Sequence, residues 1–218
     1  MGNDVIRVAG SIGILWNPKE VSLENYLAYE FSLSAKFHII GTRVRGVLTN
    51  VYGTYIAGRK NDFFKSLGTT HTWVGYWHRV IGGDFKLICN LEEKKEGHRA
   101  LSNFSEIFNE KIVVWELVDL QPDNHFFTWT NKRSGERHIA SRLDRFLVSE
   151  SILTGGGDIT AIILPSAGSD HWPVSLNWLR VGEHLRRSFR FEQFWLTNED
   201  LSLKFHQWWD EFLLKVLS

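Results

Sequence analysis

Residues 80–88 read Val-Ile-Gly-Gly-Asp-Phe-Lys-Leu-Ile, and no other stretch constrains the fold as much. The apolar run reads as a buried strand that ends on two glycines and a carboxylate, Asp84. Glycine at such a point lets another backbone or a ligand approach closely. An acid at a strand end, with Lys86 two residues on, lies where loops collect functional groups on a rigid scaffold.

Around this strand the chain alternates strand-like and helix-like segments without a strict repeat. Segments 12–16, 27–33 and 43–52 carry β-branched and aromatic residues with partial alternation. The Asn-Pro pair in 16–20 predicts a turn after the first of them. Phe63, Phe64 and Leu67 predict a short helix over 61–67. Leu101, Phe104, Ile107 and Phe108 predict another over 101–111. Four more strands are predicted over 126–130, 142–149, 159–165 and 172–179. Strands dominate and helices fall between some of them, which points to an α+β domain over 1–180 with antiparallel or mixed sheets. From 181 to 218 the chain turns polar and basic. Thr197 and Asp200 then open an amphipathic, Trp-rich helix whose apolar face needs a packing partner.

Composition narrows the class. Lys+Arg and Asp+Glu both number 25, so overall charge gives no sign of nucleic-acid binding. The basic clusters Arg43/Arg45, Lys132/Arg133 and Arg186/Arg187/Arg190 read as solvated surface. Cys89 is the only cysteine, which excludes an intrachain disulfide framework or a multi-cysteine zinc site and fits a reducing compartment. No run reaches the roughly 18 apolar residues of a membrane span. The expectation is a soluble intracellular protein, the nucleus included. The ten tryptophans read as core filling, with base stacking as the alternative.

Tyr52, Asp84, Asp144, Asp170 and His171 all fall at or near predicted strand ends. Each has a structural explanation: Asp84 and the Ser-Asp-His triplet as turns, Asp144 as an ion partner of Arg142 and Arg145, Tyr52 as a packed ring. Together they make a chemical set. One acid can orient an imidazole and keep it protonated, and another can position an attacking water. Oxygen ligands without cysteine suit Mg²⁺, and such a set fits phosphodiester hydrolysis.

The motifs GGDFK (82–86), FTWTNKR (127–133), RLDRFLVS (142–149) and GSDHWPV (168–174), in this order, resemble the endonuclease/exonuclease/phosphatase (DNase I-like) superfamily. More narrowly they resemble the endonuclease domain of plant-type non-LTR (LINE-type) retrotransposons, and residues 189–195 with the Trp-rich helix resemble its junction to a reverse transcriptase. The resemblance implies a four-layer α/β/β/α sandwich, a Mg²⁺ cofactor and DNA as partner. It implies that His171 contacts the scissile phosphate, Asp144 orients His171, and Asp170 lies on the metal side. Asp84 would position or deprotonate the water, and Tyr52 would bond the phosphate.

This chain departs from the family pattern at two points. The family has Asn where this chain has Lys86, and a lysine there would pair with Asp84, repel Mg²⁺ and offer itself to phosphate. The family's opening strands, with their metal-site Asn and Glu, have no counterpart, and the chain starts roughly at the third strand. The expectation is a weak or inactive Mg²⁺-dependent nuclease. The alternatives are a non-enzymatic nucleic-acid- or protein-binding remnant, or an enzyme for a small phosphorylated substrate.

Overall fold

The computed structural model describes residues 4–7, 12–75, 77–97, 100–154, 158–166 and 168–179. The predicted linker and Trp-rich helix lie outside the described residues. Strands β1 (Asp4–Arg7) and β2 (Gly13–Trp16) form an antiparallel ribbon. Asn17 then closes the expected turn, its side-chain oxygen accepting from the Lys19 amide at 3.1 Å. Next come β3 (Val21–Ala28), β4 (Ser32–Ile39) and β5 (Arg45–Tyr52), then α1 (Lys60–Val74) and β6 (His78–Asp84). Short β7 (Lys94–Lys95) precedes α2 (Asn103–Val114) and β8 (Leu117–Leu120). The remaining elements are β9 (Trp129–Thr130), β10 (Ala140–Ser141), β11 (Asp144–Ser149), α3 (Glu150–Thr154), β12 (Asp158–Ile163) and β13 (Val174–Leu179).

Six strands make the main sheet in the order β3-β4-β5-β6-β11-β8. Its only parallel pair is β5–β6, joined through α1, so the sheet is mixed as expected. One predicted strand proves to be two. Segment 27–33 turns at Glu30, where the Tyr29 amide donates to the Ser32 carbonyl at 2.8 Å, and the flanking halves belong to β3 and β4. Segment 126–130 keeps strand pairing only at Trp129 and Thr130.

Alternation along the strands sends side chains to two cores. On one face Val51, Ile81 and Leu147 meet Phe63, Phe64 and Leu67 of α1 and Phe108 of α2. Both helices thus bury the stripe that their 3.6-residue period places on one side. On the other face Leu33 and Ala35 pack under Ile14 of the first ribbon. Val80 and Val148 pack under Leu176 and Trp178 of a second antiparallel ribbon, β12–β13. The described residues therefore form helices, a mixed sheet and two ribbons, in that order of layers. Between the ribbons a cleft of about 500 Å³ runs over Gly82, Gly83 and Phe146 and ends at Asp144 and His171.

Candidate active site

Strand pairing aligns three of the predicted residues on one rung. Tyr52 of β5 is opposite Asp84 of β6, and Asp84 is opposite Asp144 of β11. All three fall on the ribbon-facing side, the same side as Leu48, Val80 and Val148. The two glycines let the strands come together here. Gly83 has φ +137°, and a Cβ on it would lie 2.1 Å from the Val51 carbonyl oxygen. A Cβ on Gly82 would lie 2.3 Å from the Phe146 ring. What approaches the glycines is therefore a neighbouring strand and a ring from β11.

His171 arrives from the β12–β13 connection. That loop is laced to the main body by Trp172 N–H donating to the Thr128 carbonyl at 2.8 Å and Thr130 N–H to the Asp170 carbonyl at 3.0 Å. Asp144 is fixed by the Thr128 hydroxyl, which accepts from its amide at 2.9 Å. His171 Nδ1 then lies 2.8 Å from Asp144 Oδ2, and its Nε2 lies 3.6 Å from Asp84 Oδ2. The hydrogen bond to Asp144 pushes the His171 pKa up, burial works against this, and the Asp144 and Asp84 charges add to the rise.

Lys86 closes the group. Its amide donates to Asp84 Oδ1 at 3.0 Å, and its ammonium forms an ion pair with Asp84 Oδ2. Lys86 has φ +54°, a left-handed conformation that asparagine adopts more readily than lysine. Its ammonium also sits 5.1 Å over the Tyr52 ring, whose own edge is half exposed. Burial lowers the Lys86 pKa, and the hydrogen bond and charge of Asp84 outweigh it, so the net shift is upward.

Two residues that sequence reasoning missed support this loop. Lys60, buried at the start of α1, donates to the Lys86 carbonyl at 3.0 Å. Burial is the main reason its pKa falls to about 8, with Asp84 opposing and Lys86 assisting. The available signal was its spacing, one turn before Phe63 and Phe64 on the apolar face of α1. Trp129 holds Asp170, its indole N–H donating to Oδ2 at 3.0 Å, and this bond chiefly draws the Asp170 carboxyl down. Asp170 is exposed and lies apart from the close trio of Asp84, Asp144 and His171, whose ligand-type atoms lie within 4.8 Å of one another.

Arg142 and Arg145 flank Asp144 in sequence but turn to the helix side. Arg142 bonds Glu93 at 2.9 Å and Asp119 at 2.5 Å, and Arg145 bonds Glu93 at 2.8 Å and Asp119 at 2.7 Å. The ion-pair explanation of Asp144 is thereby removed, which leaves its carboxylate for His171.

The trio was tested as a Mg²⁺ site on its donor chemistry. Mg²⁺ takes near-octahedral oxygen ligands and keeps several waters. Here both Asp84 oxygens are engaged by Lys86, Asp144 Oδ2 is engaged by His171, and the third group is an imidazole biased toward its protonated form. A cation is already in place among these ligand atoms, and the set does not fit Mg²⁺.

No family model matches the chain, and no curated protein does. Solved structures do. The endonuclease domain of TRAS1, a telomere-specific non-LTR retrotransposon, superposes with a TM-score of 0.63 at 14% identity, covering 84% of this chain and 82% of that one. A TDP2 from D. rerio complexed with single-strand DNA product gives 0.52 at 11%, covering 79% and 75%. An endonuclease/exonuclease/phosphatase family protein from Bacteroides thetaiotaomicron gives 0.50 at 14%, covering 75% and 67%. On this likeness, together with the mixed sheet and its helices, the chain has the DNase I-like α+β fold of endonuclease/exonuclease/phosphatase proteins.

Proposed function

We propose that the chain carries a nucleic-acid phosphodiesterase site of retrotransposon origin whose hydrolytic output is low. The observation that carries this reading is the Asp144–His171 pair aimed at Asp84, with the Lys86 ammonium paired to the same Asp84 oxygen. Asp144 accepts the Nδ1 proton and favours the imidazolium, so that Nε2–H is available to a phosphoryl oxygen. Asp84 would take the proton of an attacking water, and pairing with the Lys86 ammonium weakens it in that role. Retrotransposon origin is supported by the ordered motifs and by the likeness to the TRAS1 endonuclease.

The test is nicking of supercoiled plasmid by purified protein, with and without divalent metal, beside His171→Ala. Slow nicking that is lost in His171→Ala is the expected result. Nicking unchanged in that variant would remove the site from the reaction. A second reading, binding without hydrolysis, is favoured by the same Lys86–Asp84 pair. It predicts a folded protein that never nicks and holds DNA with strong salt dependence.

A further inference from the structure

We infer that Lys86 is the resident cation of the Asp84–Asp144–His171 cluster, in the place a divalent ion would take, and that the cluster holds a nucleic-acid phosphate without metal. The inference rests on the phosphodiesterase reading for its ligand but not for its cation.

A single residue engages both oxygens of Asp84, by its amide and by its ammonium. It does so from a left-handed backbone that lysine adopts rarely, and a buried second lysine, Lys60, clamps the same peptide from behind through its carbonyl. The conformation is therefore held from both sides rather than being a swing of a free surface lysine. Only 15% of the Lys86 side chain is exposed.

The carboxylates of Asp84 and Asp144 face the Lys86 ammonium and the His171 imidazole. A divalent ion entering this group would meet cations that already neutralise the acids. An anion would not. An ammonium carries three N–H donors. The ion pair with Asp84 uses at most one of the Lys86 donors, and His171 Nε2 is 3.6 Å from Asp84, too long for a hydrogen bond that would occupy it. The spare Lys86 donors and the Nε2–H lie around the same Asp84 oxygen, so one phosphate group can accept from both beside the Tyr52 ring.

The test uses the whole chain and the variant Lys86→Asn. Asparagine suits the left-handed position, so the variant is expected to melt at or above the native temperature. Should Lys86→Asn nonetheless lose its fold, Lys86→Met keeps the aliphatic stem and removes the charge. Mn²⁺ is titrated calorimetrically, and a fluorescent single-stranded oligonucleotide is titrated by anisotropy in EDTA. Removing the ammonium is expected to tighten Mn²⁺ binding at least about tenfold and to weaken oligonucleotide binding in EDTA about tenfold. Native protein that binds Mn²⁺ as tightly as the variant would overturn the resident cation. A variant that gains Mn²⁺ but binds oligonucleotide unchanged would overturn the phosphate half and leave the cation. Neither result decides hydrolysis, which the His171→Ala nicking comparison reads separately.

Discussion

Strand β11 and its approach separate two clusters of charge. On the helix side, Arg142 and Arg145 are almost wholly buried with Glu93, and their guanidinium groups are bonded to Glu93 and Asp119 and to the carbonyls of Leu87 and Leu120. On the ribbon side, Asp144 meets a half-buried imidazole, and Asp84 meets a lysine that asparagine could replace. The first cluster stabilises by having a partner for each charge it buries. The second leaves donors turned outward. The same side-chain chemistry becomes scaffold where it is enclosed and a candidate site where it opens on a cleft.

The comparison breaks first at Arg145. Arg145→Met leaves Glu93 buried with one guanidinium instead of two, and it is expected to cost about 3–5 kcal/mol in urea unfolding. A cost below about 1 kcal/mol would mean that the network is no more structural than the site. Next is Gly83→Ala, which forces a Cβ against the Val51 carbonyl at an unsuitable φ. It should destabilise by more than about 1 kcal/mol, again by urea unfolding. Asp144→Asn should cost no more than about 1 kcal/mol, because the pair with His171 is partly exposed, while any nicking falls steeply.

The smallest expected effect is a pH slope. The folded His171 pKa is raised, so the stability from its pair with Asp144 is complete below the unfolded value of about 6.5. It is lost as pH rises through the folded value. Burial opposes the charge of Arg145, but Asp119 and Glu93 outweigh it and raise its pKa, so Arg145 itself stays charged across this window. Melting curves of native protein and Asp144→Asn across this range should converge as pH rises. A gap that widens instead would mean that His171 is not held protonated by Asp144.

Much of this was legible in the sequence. Motif order points to the fold, and the strand-end positions of Tyr52, Asp84, Asp144 and His171 mark them as candidates. The Lys86–Asp84 pair is legible too, because a cation stands beside that acid where the family motif has an amide. What could not be read was pairing across long separations. Glu93 and Asp119 lie far from Arg142 in sequence, so Asp144 looked like the nearer partner. Strand β3, with its exposed Glu24 and Asn25, lacks the apolar alternation that marks a strand, and the turn at Glu30 carries no glycine or proline to announce it. Asp170 was expected at the metal side, and its bond to the Trp129 indole depends on a loop crossing that no spacing reveals.

The rung that joins Tyr52, Asp84 and Asp144 makes the site a reporter of assembly. A one-residue slip of β11 against β6 would send Asp144 to the helix side and bring Arg145 to the cleft, while helix and strand content stayed the same. Circular dichroism would not see that error. The His171 ring resonance would, because it depends on Asp84 and Asp144 from strands far apart in sequence. Its appearance during refolding would time that long-range closure of the sheet, a step that a topology of distant pairings makes slow.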